Sequence, residues 1–252
     1  MKVLKLCTSD ELAGDIPDAS RAYRVAERVI RERTGMEVET VLQNIWPTPR
    51  LPRLLEGWVS QHEPDVVLFV ISPYWMTFES VPLRVRRSAG PIGEKLGAWM
   101  TRVGEDPRLS PSWPVRLARG ASLRLIRGAY PFEPEEVASV VEDSLGTLLT
   151  NESLEVVVRG PLVALGHHGS RRSLARAEAR RRKTDDLLKA ACARLHVAYV
   201  GRPEGATHET DREHFTGDFV HTDAEKHRER GELEGAAIAE VWLRVHGMGG
   251  QR

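Results

Sequence analysis

The chain has 252 residues, 41% of them hydrophobic, which supports a sizeable core, and its 36 Lys and Arg balance 36 Asp and Glu. A net charge of zero leaves no electrostatic footprint for a nucleic acid or a membrane surface, so neither is expected as a partner. Two cysteines, Cys7 and Cys192, with no Cys-x-x-Cys argue against disulfides and structural zinc, and the short polar N-terminus and lack of a long apolar run leave a reducing cytoplasm as the expected compartment.

The elements follow in alternation. Val3 to Leu6 is a short apolar run interrupted by Lys5, read as strand one, and Thr8-Ser9-Asp10 turns the chain toward a helix at about Ala19 to Arg33. That helix has Ala22, Val25, Ala26, Val29 and Ile30 on one face, and Thr34-Gly35 ends it. Glu37 to Leu42 reads as strand two. Gln43 to Pro49 is a loop because it holds two prolines, and Leu51 to Gln61 is an amphipathic helix. Pro64-Asp65 introduces Val66 to Ile71, a continuous apolar run of the kind found in parallel strands buried on both faces. Glu135 to Leu149 is helical, Leu154 to Val158 is strand four, Ala175 to Leu195 is helix and Val197 to Val200 is strand five. Strands alternating with helices give a doubly wound α/β fold, in which ligands bind beyond the carboxyl ends of the strands.

The segment from about 82 to 140 stands apart. As far as Tyr130 its basic residues, among them Arg84, Arg86, Arg87, Lys95 and Arg102, outnumber nearby acids, and prolines at 82, 91, 107, 111 and 114 break it into short pieces. It reads as an insertion into one 252-residue domain, packed over the strand-end cleft as a lid, with arginines facing an anionic ligand or else merely solvated.

The chemistry concentrates near the C-terminus. Asp218 and His221 stand three residues apart, and Thr222 with Glu225 forms a capping box that places a helix start at Thr222. Leu233, Ala236, Ala237 and Val241 continue it at helical spacing. An Asp that holds one imidazole nitrogen leaves the other free as a general base. The plain alternative is a turn Asp and a solvated His ahead of a helix cap. A third reading takes His208, Asp211, Glu213, His214, Asp218, His221 and His227 as metal ligands, although no fixed ligand spacing appears.

Together these blocks resemble the SGNH, or GDSL-type, hydrolases. That family's first block is Gly-Asp-Ser after strand one; here Cys7-Thr8-Ser9 keeps the Ser and loses the Gly and Asp. Pro64-Asp65 and the strand after it match the third block, but the family's Gly-x-Asn-Asp is replaced by Ser72-Pro73-Tyr74-Trp75, with Tyr74 in place of the oxyanion-binding Asn. No Gly falls between Asn44 and Trp46, where the second block has one. Asp218-Phe-Val-His221 matches the last block, and Gly160-Pro161 also fits. The resemblance implies a flavodoxin-like three-layer α/β/α sandwich on a mostly parallel five-stranded sheet. It implies an ester hydrolase for acyl or acetyl esters with Ser9 as nucleophile, His221 as base and Asp218 as its partner. Ser9, Asn44, Ile45 and Tyr74 would form an atypical oxyanion hole. No cofactor or metal is implied, and the partner is a small-molecule ester, neutral or anionic. The altered blocks equally motivate a degenerate fold that binds a ligand without turnover.

Overall fold

A computed structural model describes residues 1–11, 16–88, 90–105, 128–165, 170–207, 211, 213–215 and 221–247. The chain gathers into two compact units. The first comprises Met1–Ser72, Pro134–Val163 and Arg182–Arg252, and the second Pro73–Glu133 and Ala164–Arg181.

The first unit is built on five parallel strands: β1 (Lys2–Cys7), β2 (Glu39–Asn44), β3 (Val66–Val70), β4 (Glu155–Arg159) and β5 (Ala198–Val200), in the order β2-β1-β3-β4-β5. This is the flavodoxin-like order the resemblance implies, and it reverses direction between β1 and β3. Each strand lies within two residues of its expected position. Burial on both faces leaves the apolar runs of β1, β3 and β4 nearly uninterrupted. Val3, Val66, Leu68, Val70 and Val157 point to one face and pack with Ile30, Ile238 and Val241. Those partners belong to α1 (Ala22–Thr34) and the long final helix, Ala224–His246. The alternate residues Leu4, Leu6, Val67, Phe69, Val156 and Val158 are equally buried. The helices α2 (Leu51–His62) and Pro134–Leu148 pack against each other and bury Leu51, Leu55, Val137, Val141 and Leu145.

The described part of the second unit is mainly helical. It contains α3 (Tyr74–Thr77), α4 (Val81–Ser88) and α5 (Gly90–Glu105), which are followed in the chain by α6 (Pro134–Leu148), α7 (Arg171–Arg194) and α8 (Ala224–His246). The first eleven residues of α7 belong to the second unit and the remainder to the first. Two of the prolines expected to break this region instead open its helices, and those at 107, 111 and 114 lie outside the described residues. Pro82 and Pro91 are the second residues of α4 and α5, where a missing N–H has no helical partner to lose. Arg180 holds the unit internally, donating to the carbonyls of Met76 (2.6 Å) and Phe132 (2.7 Å) and to Glu133 Oε2 (2.7 Å), with its guanidinium over the Tyr130 ring. Buried Glu79 accepts from Ser173 Oγ (2.6 Å) and Arg176 (2.9 Å).

Candidate functional site

The carboxyl end of β1 leads directly into a single 3-10 turn, Ser9–Glu11, whose Glu11 N–H returns to the Thr8 carbonyl (3.2 Å). Ser9 is exposed at the start of this turn, and among the described residues its hydroxyl has no hydrogen-bond partner. The next two residues turn inward and carry charge. Asp10 Oδ1 accepts from the backbone N–H of Thr222 (3.2 Å), 212 positions away in the chain. Arg230, on α8, donates to both Asp10 Oδ2 and Thr222 Oγ1. The residue after Ser9 and the residue after His221 are therefore joined by one direct hydrogen bond and by one shared arginine. His221 is half-buried, while Asp218 lies outside the described residues.

The helix cap differs from the expected one. α8 is capped by Asp223, whose Oδ1 accepts from Lys226 N–H (2.9 Å), because the Thr222 hydroxyl is taken by Arg230. Its buried face also differs: His227, Arg230, Gly231, Glu234, Gly235 and Ile238 point inward, where the apolar pattern favoured Leu233 and Ala236.

Behind the two loops lies a buried ionic network that the sequence reading missed. Lys5 Nζ, in the middle of β1, meets Glu11 Oε1 at 2.8 Å and Glu234 Oε2 at 2.7 Å. Arg159 Nε, at the end of β4, meets the other oxygen of Glu234 at 2.8 Å. With Asp10 and Arg230 this makes three cations and three anions, and Lys5, Glu11, Glu234 and Arg159 are all under 5% exposed. Burial works against the charged form of Lys5, but Glu11 and Glu234 outweigh it and raise its pKa. Burial likewise opposes the Glu11 and Asp10 carboxylates; Lys5 overcomes it for Glu11 and Arg230 for Asp10, and both pKa values lie below normal. His227 sits beside this network. Its Nδ1 accepts from Ala22 N–H (3.3 Å), which places the proton on Nε2, and burial with the nearby Arg230 charge lowers its pKa to about 4. It is thus a neutral structural imidazole. Cys7, under the same site, is driven to about 12 mainly by burial and is no nucleophile.

The expected oxyanion residues fare differently. Asn44 is the exposed last residue of β2, in register with Cys7. Ile45 is buried, and its N–H donates to the Cys7 carbonyl (3.0 Å), extending the β1–β2 ladder; it is not directed at a ligand. Tyr74 opens α3 in the second unit and stacks on Phe78, ring centroids 4.6 Å apart. Of the arginines expected to face an anion, Arg87 is committed to the carbonyls of Tyr130 (3.0 Å) and Pro131 (2.9 Å).

The residues grouped as metal ligands are dispersed among other partners. Asp211 is paired with Arg202 and with Lys226 Nζ (2.8 Å), His214 Nδ1 with Asp223 Oδ2 (3.0 Å) and His227 with Ala22. Among the described residues no group of three such side chains has metal-binding geometry. His208, like Asp218, lies outside the described residues.

No family model and no curated protein matches the chain. Solved structures do. A carbohydrate acetylesterase from Sinorhizobium meliloti aligns with a TM-score of 0.54 at 11% identity, over 95% of this chain and 98% of that one. The native aryl esterase of M. smegmatis gives 0.53 at 10% identity, over 95% of this chain and 99% of that one. An acetyl xylan esterase gives 0.53 at 13% identity, over 94% of this chain and 100% of that one. The chain thus has the fold of the SGNH-type esterases, and the likeness is one of fold.

Proposed function

We propose that the protein is a serine hydrolase that cleaves an acyl or acetyl ester. The observation that carries this reading is the hydrogen bond from Thr222 N–H to Asp10, with Arg230 bridging the same two residues. It holds the Ser9 turn against the loop of His221 at the carboxyl end of β1, beside the β1/β3 reversal where this sheet order binds ligands. The acetyl and aryl esterase neighbours support the same reaction class.

In the proposed reaction His221 takes the Ser9 hydroxyl proton as Oγ attacks the ester carbonyl. The tetrahedral adduct collapses to an acyl-serine, and His221 returns the proton to the departing alcohol. Water, deprotonated by the same imidazole, then releases the acid. Asp218 orients the other imidazole nitrogen. The Ser9 N–H and the Asn44 side chain stand in for the lost glycine-block donors, and each such donor is worth about 100- to 1000-fold in rate.

The test is hydrolysis of p-nitrophenyl acetate together with fluorophosphonate labelling. Ser9→Ala is expected to abolish labelling and to lower turnover by about a thousandfold or more with the fold intact. His221→Ala is expected to do the same. Turnover like that of the parent protein in Ser9→Ala would remove the nucleophile assignment. One observation favours the runner-up, a ligand-binding fold without turnover: the Ile45 N–H already has a partner. A protein that fails to label yet binds acetylated ligands with equal affinity before and after Ser9→Ala would establish it.

A further inference from the structure

The zero net charge of the chain is the sum of two opposed parts. The second unit holds 15 of the 36 Lys and Arg but only 6 of the 36 Asp and Glu, a formal +9, which leaves −9 on the first. Charge asymmetry of this size between parts of one chain points to a polyanionic partner for the basic part.

Helix α5 adds a second, independent feature. Ile92, Leu96 and Trp99 are 78%, 48% and 60% exposed. Their spacing of four and three residues aligns them in one stripe along the helix. The stripe faces away from α4. The α4 contact is made by Gly97, where an added Cβ would stand 2.2 Å from Arg86 Cγ and 2.6 Å from the Pro82 carbonyl oxygen. Lys95 and Arg102 fall at about 60–80° from the stripe on one side, given 100° per residue. Among the described residues neither of these two cations has an ion-pair partner. The acids Glu79, Glu133 and Glu178 are already paired with Arg176, Arg180 and Arg181 of α7.

We propose that this face of the second unit docks on the surface of an anionic lipid bilayer, with Ile92, Leu96 and Trp99 entering the headgroup boundary and Lys95 and Arg102 meeting lipid phosphates. An unpaired basic flank beside an apolar, Trp-bearing stripe matches a surface that offers negative charge outside and hydrocarbon beneath. A nucleic acid meets the charge but gives Ile92 and Leu96 no apolar layer. Indole is at home at such a boundary because it has an apolar body and one N–H donor. The helix lies on the bilayer: no described helix is long and apolar enough to cross one. The proposal is independent of ester hydrolysis.

The test is flotation of the full chain with vesicles of equal parts phosphatidylglycerol and phosphatidylcholine, and with phosphatidylcholine alone. Binding to the mixed vesicles is expected, about tenfold or more weaker on the neutral ones, and weakening as salt rises. The triple variant Ile92→Ser, Leu96→Ser, Trp99→Ser is expected to lose about tenfold or more of the binding, with an unchanged circular dichroism spectrum. Lys95→Gln with Arg102→Gln is expected to remove part of the salt dependence. Trp99 emission should move to shorter wavelength only with the anionic vesicles. The proposal is overturned if neither vesicle binds, or if the triple variant binds as well as the parent. It is also overturned if duplex DNA is bound with the same salt dependence while lipid is not, or if the stripe proves to mediate self-association in the absence of lipid.

Discussion

Arg230 is the residue on which the candidate site most depends. It holds Asp10 and Thr222 together, and it is itself buried, so removing it leaves a carboxylate without its counter-charge. Breaking a buried pair from one side typically costs about 3–5 kcal/mol. Arg230→Met is therefore expected to lower unfolding free energy by about that amount, measured by urea titration. Restoring neutrality with a second change, Asp10→Asn, should recover part of the loss. If Arg230→Met alone is as stable as the parent, the network is not holding the loops. Only one member of this network was visible in the sequence. Lys5 interrupts an apolar strand and so announces itself, whereas Glu234 and Arg230 sit among the charged residues of a long helix and look like its solvated face. The network's distance in sequence, residues 5 to 11 against 159 and 230 to 234, hides the pairing further.

The packing of α1 on α8 shows what single glycines do for an element. A Cβ on Gly231 would lie 2.4 Å from the Ala22 carbonyl oxygen, and one on Gly235 2.8 Å from that of Ala26. Backbone cannot yield as a side-chain tip can. Helical propensity favours Ala over Gly by about 1 kcal/mol, yet overpacking typically costs about 1–3 kcal/mol. Gly231→Ala is expected to destabilise the protein by up to about 2 kcal/mol net, with Gly57→Ala, a helical position with open space, as the control expected to stabilise it. Equal midpoints for the two variants would contradict the close approach. Among the elements, the strands were legible because burial on both faces leaves a one-dimensional apolar signal. α4 and α5 were not, because Pro82 and Pro91 act as helix starters and look like breakers until their place in the helix is known. The buried face of α8 was misread for the same kind of reason: its inward residues include two glycines, a glutamate and an arginine, none of which registers as core.

For the whole molecule the ionic core sets acid stability. The ordinary pKa of a histidine is 6.5 and that of His227 in the fold is about 4. As pH falls through this interval the unfolded chain takes up a proton at His227 that the folded chain refuses, so stability declines across it and is unaffected above it. The decline amounts to about 3 kcal/mol at most from this one group. Asp10 and Glu11 add to it lower down, since their folded pKa values are depressed and their contribution disappears as pH falls through those values. His227→Asn keeps an acceptor near Ala22 N–H and removes the titration. It is expected to flatten the dependence of unfolding free energy on pH between 6.5 and 4 by about one proton, read from urea midpoints across that range. An unchanged slope would mean that His227 is already protonated in the fold.

The ionic core also has a bearing on the order in which the molecule is made. Lys5 and Glu11 leave the ribosome before Arg159, and Arg159 before Arg230 and Glu234. Until α8 emerges, Arg159 has no Glu234 to meet and Asp10 no Arg230, so burying either would strand a charge. The carboxyl ends of β1 and β4 are therefore expected to close only when α8 arrives with the arginine and glutamate that pair these groups.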